Sequence, residues 1–169
     1  ALELVPQTLR NHHSVKSHCK RTGRNSSEIH LDISYHHRAM VDQNIKQWWK
    51  RGRPDIVHFD LVEALSTPLF KEKKLMVYVS TFDNKLLIMN QDLRLPKNYL
   101  RFERLMISIL NKHRSKEGSE LIEFRENVSF ADLVQKIIKP QAVFGFSVEG
   151  TKIKSVSYTH LTLPTTSRV

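Results

Sequence analysis

One cysteine, Cys19, occurs in 169 residues. A lone thiol closes no internal disulfide, so the fold does not rest on cross-links and the residue suits a reducing compartment. Glycine is scarce as well, at five residues. Neither a Gly-x-Gly-x-x-Gly turn nor a Walker loop is present, which removes the motifs that cradle phosphate on glycine-rich backbone. A Gly-x-Ser-x-Gly elbow is also missing, so a Ser-His-Asp hydrolase has no nucleophile turn. No apolar run reaches the roughly 18 residues that a membrane span needs, and no charged segment followed by an apolar one opens the chain as a secretion signal would. Acid is the last deficit. With 17 Asp+Glu against 27 Lys+Arg, the formal charge is +10 and the pI is near 9.9. That surplus favours a polyanionic partner, nucleic acid before an anionic membrane. Membrane binding wants a helix with a broad Trp/Leu face opposite lysines, and only the segment ending at Trp48-Trp49 approaches this.

What is present is the composition of one soluble globular domain, 40% hydrophobic and 26% charged, long enough for a real core. Its organising stretch runs from Trp48 to Leu65. Lys50, Arg51 and Arg53 surround Gly52, and Pro54-Asp55 then opens a segment in which Val57, Leu61 and Leu65 recur every four residues, the pattern of a loop feeding a helix. Asp55 has two readings: an acid that charges the first helical turn, or a carboxylate offered to a ligand held by the neighbouring arginines.

The remaining elements alternate between strand and helix. Leu2 to Val5 reads as a strand. Ser14 is placed to cap a basic helix over Val15 to Thr22 that Gly23 stops. Ile29, Leu31 and Ile33 alternate as in a strand. A second helix is expected from about Ser34, with Val41, Ile45, Trp48 and Trp49 on one face, closed by Gly52; the third ends at Ser66-Thr67-Pro68. After a charged turn, 71–74, the segments 75–80 and 86–89 read as a hairpin around Phe82-Asp83-Asn84-Lys85. The segment from Arg94 feeds a helix that buries Phe102, Leu105, Met106 and Ile109 and places Lys97, Arg101 and Arg104 on one face. Three cations near a helix N-terminus oppose its dipole, which hints at function beside the plainer reading of a solvated basic face. Residues 115–120 read as a loop. Ser129 with Asp132 reads as a capping box, and Ala142 to Val148 as a strand buried on both faces. Together these predict an α/β fold with an inserted hairpin.

Several chemistries find no residues. His36 and His37, adjacent on a helix, point about 100° apart and lack a second cluster to complete a zinc site, so no metal is expected. Cys19 has basic neighbours that could lower its pKa, yet a partly buried inert thiol is the plainer reading. What remains is a basic surface of Arg51, Arg53, Arg94, Lys97, Arg101 and Arg104 with Tyr35 and Tyr99 interspersed, suited to looped RNA whose phosphates meet cations and whose bases stack on aromatic faces.

Four blocks in order carry a family resemblance: Ser34-Tyr-His-His-Arg-Ala-Met40, Arg51-Gly-Arg-Pro-Asp-Ile-Val-His-Phe59, Ser66-Thr-Pro-Leu69 followed by Val77-Tyr-Val79, and Arg94-Leu-Pro-Lys-Asn-Tyr-Leu-Arg-Phe102. From Ala1 to about Gly150 the chain resembles the SPOUT-class pseudouridine methyltransferases of small-subunit ribosome biogenesis in their archaeal form. The resemblance implies a SPOUT-like α/β-knot sheet with helices on both faces, a cytoplasmic homodimer, and S-adenosylmethionine as donor to N1 of a pseudouridine in a small-subunit rRNA loop. No membrane and no DNA partner is implied. RNA-binding arginines carry over onto Arg53, Arg94 and Arg101, and an acid beside the substrate onto Asp55, where a desolvated carboxylate of raised pKa would take or orient the N1 proton.

Two positions depart from the pattern. Lys97 stands where arginine is common, giving up a bidentate phosphate grip, and Asp60 replaces a small residue. The expected organisation is a partial SPOUT domain over 1–153, with about 69–114 as an inserted extension, and a Thr/Ser-rich tail over 154–169 that resembles translated adapter sequence and lies outside the design. Ala1 enters a strand at once, so further residues are expected upstream. Ser147, Glu149 and Gly150 would form the first edge of the cofactor pocket, whose remaining loops would follow, so this chain is expected to be an inactive fragment of an enzyme. The alternative is a non-catalytic rRNA-binding assembly factor that uses the same basic surface.

Overall fold

A computed structural model of the chain describes residues 2–111 and 121–145. Its first unit is organised by a single antiparallel bridge between Leu4 and His30, with Val5 N–H donating to Ile29 O and Leu31 N–H to Glu3 O. The alternation in both segments does bury Leu2, Val5, Ile29 and Leu31. Pairing stops at one bridge, however, so the two expected strands are extended segments.

Helices α1 (His13–Thr22) and α2 (Ile33–Asp42) close over this bridge, enclosing Val5, Leu9, Val15, Ile29, Leu31, Ala39 and Met40. The cap of α1 is His12 rather than Ser14, because the ring nitrogen accepts the Ser14 N–H at 3.3 Å. Gly23 ends the helix in the left-handed region at φ 65°, as expected. Asp32 caps α2 by accepting the Ser34 N–H at 2.8 Å. That helix stops at Asp42, well short of Trp49. Asn44 turns left-handed at φ 47°, while Ile45 N–H donates to Met40 O and Asn44 N–H to Val41 O, the bond pair of a glycine-type helix stop made by asparagine. The expected single face therefore splits: Ile45 and Trp48 pack on the core, while Val41 and Trp49 are exposed.

The second unit joins helices to a sheet. Helix α3 (Pro54–Ser66) runs over the predicted span, followed by a short α4 (Pro68–Lys71) capped by Thr67. Strands β1 (Val77–Ser80) and β2 (Leu86–Met89) form the predicted hairpin. A third strand, β3 (Ile122–Arg125), pairs antiparallel with β2 and had no counterpart in the sequence reading. Helix α5 (Tyr99–Asn111) lies against α3. Leu61, Leu87, Met89, Phe102, Met106 and Ile122 meet in one core, with Val57 and Leu65 of α3 beside them. Each large side chain so buried contributes about 1.5–3 kcal/mol, which makes the α3–α5 face the main support of the site described below.

The sheet order is β1-β2-β3, antiparallel throughout, so no parallel α/β sheet occurs among the described residues. The predicted buried strand over 142–148 is corrected in its described part. Residues 142–145 carry no regular structure and Phe144 is 72% exposed. A buried strand needs partners along its edges, and the described residues place none there. Ser129 does cap α6 (Phe130–Asp132), accepting the Asp132 N–H at 3.1 Å. The helix then continues in π-helical geometry over Leu133–Ile138 and ends at Lys139, left-handed before Pro140. The expected loop over 115–120, the expected cofactor residues Ser147, Glu149 and Gly150, and the tail lie outside the described residues. Among the described residues no helix is long and apolar enough to cross a membrane.

Candidate nucleic-acid interface

The loop before α3 is fixed by Gly52. Its carbonyl accepts the Ile33 N–H at 2.8 Å, its φ is +69°, and a Cβ there would stand 2.9 Å from Ile33 N. Only glycine fits that approach. The arginines on either side are thereby sent in opposite directions.

Arg51 turns inward, and this corrects its expected place on the RNA surface. Its Nε donates to Glu3 Oε1 at 2.8 Å and its terminal nitrogen to Glu3 Oε2. The side chains are only 12% and 3% exposed, and the guanidinium lies 4.6 Å above the Phe82 ring. Arg51 is therefore an internal clamp between the N-terminal segment, the loop and the hairpin turn.

Arg53 turns outward and grips Asp55, with Nε–Oδ1 at 2.9 Å and a terminal nitrogen to Oδ2 at 2.8 Å. Both side chains are about half exposed. Asp55 sits in the first turn of α3 behind Pro54. Its carboxyl is held below the ordinary range, first by the Arg53 hydrogen bond, which outweighs the opposing desolvation, with the Ile56 backbone N–H adding to it. The desolvated, raised-pKa carboxylate is thus corrected: Asp55 is a solvated, ionised acceptor that holds Arg53.

One turn further along α3, His58 is buried and donates from Nε2 to Pro96 O at 2.8 Å. Its ring packs 4.5 Å from Phe102 and 5.8 Å from Tyr99. This residue, missed in the sequence, ties the loop carrying Arg94 and Lys97 to α3 and α5. Its partner carbonyl lies 38 residues on, so no local signal in the sequence marks it. Lys97 lies ahead of α5, since Asn98 caps that helix by accepting the Arg101 N–H at 3.2 Å. The expected three-cation helical face is therefore Arg101 and Arg104 on α5, with Arg94 and Lys97 on the loop before it. All four are exposed, and among the described residues none of them has an ion-pair partner.

The aromatics divide likewise. Tyr99 is packed against His58 and Phe102, and burial, then the charges of Asp32, Glu103 and Asp55, push its phenol well above the usual range. It is a half-buried buttress packed on the core. Tyr35 is exposed, with Arg21 4.4 Å from its ring.

His36 and His37 diverge as their adjacency predicts. His36 is fully buried; its Nδ1 accepts the Asp32 N–H at 3.1 Å, so its Nε2 donates to His18 Nδ1 at 2.9 Å. Desolvation, then the neighbouring His18, lowers its pKa to about 4. His37 lies against Trp48. Among the described residues no group of three His, Cys, Asp or Glu is placed to hold a metal. Burial pushes the Cys19 thiol up, in keeping with an inert residue.

The chain matches the EMG1/NEP1 methyltransferase family over residues 1–167. It is 40% identical over 157 residues to the ribosomal RNA small subunit methyltransferase Nep1 of Thermococcus sibiricus, covering 93% of this chain and 70% of that protein. The Nep1 of Thermococcus onnurineus is 37% identical over 153 residues, 90% of this chain and 68% of the relative. Among solved structures, Archaeoglobus fulgidus Nep1 bound to S-adenosylhomocysteine superposes with a TM-score of 0.68 at 40% identity, over 80% of this chain and 60% of that one. The chain thus spans about three-fifths of the solved relative's length. A profile match across nearly all its residues and two-fifths identity to relatives of one name make this chain a member of the EMG1/NEP1 methyltransferase family.

Proposed function

We propose that this chain carries the RNA-recognition part of an S-adenosylmethionine-dependent methyltransferase of small-subunit ribosomal RNA, with N1 of a loop pseudouridine as the methylated atom. The observation that carries the reading is the exposed set of Arg94, Lys97, Arg101 and Arg104, without ion-pair partners among the described residues, on the loop that His58 ties to α3 and on the helix that follows it. Unpaired cations sharing one face repel one another and stabilise nothing by themselves; a phosphate backbone resolves the repulsion. The homodimer and the cofactor pocket edged by Ser147, Glu149 and Gly150 belong to the same proposal.

S-adenosylmethionine supplies the methyl group. The described residues supply placement. Arg53, Arg94 and Arg101 take phosphates of the loop, with Lys97 and Arg104 as point charges beside them. Asp55 lies where Arg53 is anchored, so its carboxylate accepts the N–H of the bound base while the base is oriented. As N1 forms its bond to the methyl carbon, the carbon–sulfur bond breaks and the N1 proton passes to Asp55 or on to solvent. With its pKa lowered, Asp55 acts chiefly by orientation, and most of the acceleration comes from alignment.

The test is transfer of labelled methyl from S-adenosylmethionine to an rRNA-loop oligonucleotide containing either pseudouridine or uridine, using a chain extended to its relatives' length. Transfer confined to the pseudouridine strand is expected, and Asp55→Asn should lower turnover far more than affinity. Tight RNA binding without transfer by the extended protein would instead favour the assembly-factor reading.

A further inference from the structure

Trp49 has no part in that scheme, and among the described residues it belongs to neither hydrophobic core. It is 62% exposed. Its neighbour Trp48 packs against the first core and is braced edge-on by His37 at 5.0 Å. Trp49 in turn stands nearly perpendicular on Trp48, ring centroids 6.1 Å apart at 84°. The indole is therefore held against a packed neighbour while most of the residue meets solvent.

The backbone goes out of its way to keep this arrangement. Asn44 and Gln47 both have positive φ, at 47° and 52°, and Gln47 opens the short 3₁₀ turn that carries both tryptophans. For glutamine the left-handed region is disfavoured by about 1 kcal/mol or more. A loop selected for stability alone would use glycine or asparagine at Gln47 and turn both tryptophans inward.

The surroundings define the occupant. From Gln43 to Pro54 there is no acid, and Lys46, Lys50, Arg51 and Arg53 supply four cations. Arg51 is engaged internally by Glu3, Arg53 is about half exposed in its pair with Asp55, and Lys46 and Lys50 are exposed. Arg53 lies four residues from Trp49, at most about 14 Å along the chain, so a strand whose phosphate meets Arg53 brings a nearby base over the indole. We infer that Trp49 is a stacking platform for an unpaired base of single-stranded RNA, one flanking the bases held at Arg53. The inference rests on the RNA-binding reading above and extends that surface onto the α2–α3 loop.

Base-on-indole stacking and phosphate contact leave different signatures. Binding of an oligouridylate of about a dozen nucleotides is measured against salt for the unaltered chain, Trp49→Ala, Trp49→Phe and Arg53→Ala. Trp49→Ala should weaken binding about tenfold and Trp49→Phe by no more than about threefold, a smaller ring still offering a face. Neither should change the salt slope, whereas Arg53→Ala should lower it by about 0.7. Tryptophan emission should be quenched by the RNA in the unaltered chain and not in Trp49→Phe, where Trp48 alone reports. Unchanged affinity and quenching in both Trp49 variants, with Arg53→Ala still weakened, overturns the stacking platform and leaves the RNA-binding reading intact. Failure of the unaltered chain to bind overturns both. A Trp49→Ala defect on mixed phosphatidylserine–phosphatidylcholine vesicles, or in self-association, without one on RNA would assign the indole to a membrane or to a second copy and refute the inference.

Discussion

Replacing Arg51 by methionine separates a buried clamp from an RNA-binding arginine. The carboxylate of Glu3, with 3% of its side chain exposed, would lose the guanidinium that meets both its oxygens. Breaking one side of a buried ion pair costs about 3–5 kcal/mol. The lost contact over Phe82, 4.6 Å away, adds roughly 0.5–1 kcal/mol. A loss of about 4 kcal/mol corresponds to a fall in Tm of roughly 8–16 °C in a domain of this size. Urea denaturation gives the free energy directly. Because well-packed apolar replacements of a buried pair are often neutral, the double variant Glu3→Met with Arg51→Met should regain most of the loss. If Arg51→Met unfolds within about 1 kcal/mol of the unaltered chain and loses RNA affinity instead, Arg51 belongs to the surface and the clamp is refuted.

Two further outcomes follow from the histidines. His36 is ionised in the unfolded chain below about 6.5 but in the folded chain only below about 4, so the unfolded state binds the extra proton between those values. Stability should therefore rise with pH across that window and fall by up to about 3 kcal/mol as pH drops from 6.5 to 4. Burial lowers His18 and His30 in the same sense. Urea midpoints at several pH values check this, and a flat profile there contradicts it. His58→Phe keeps the packing on Phe102 but removes the donor to Pro96 O, which should loosen the loop carrying Lys97 and weaken RNA binding about fivefold. Lys97→Ala should then matter less in that background than alone; additive losses in the four-variant cycle would show that His58 does not position the loop.

The sequence made helix α3, the hairpin and the Ser129 cap legible because each is set by local rules: proline and acid at a helix start, turn chemistry between branched runs, a hydroxyl three residues before an acid. It misplaced the end of α2 because apolar spacing continued past Asn44, where a left-handed turn reversed the chain. It assigned Arg51 to the same surface as Arg53 because Arg51's long-range partner is invisible locally. The acid that claims Arg51 is Glu3, 48 residues away, while the one that holds Arg53 is two residues on. The outer cations of the site were legible from charge and exposure; His58 was not, since its role depends on a carbonyl 38 residues later. The sheet expected from the apolar run at 142–148 was read from a pattern whose strand partners the described residues do not contain.

The measurement that tests the central claim most directly is the salt dependence of binding between this chain and the single-stranded rRNA-loop oligonucleotide. With Arg53, Arg94, Lys97, Arg101 and Arg104 each neutralising a phosphate, log K should fall against log salt with a slope of about −3 to −4, at roughly 0.7 per contact. Replacing Arg101 and Arg104 together should bring the slope up by about 1.4. A slope near zero, or one that those replacements leave unchanged, would contradict the assignment of this face to RNA.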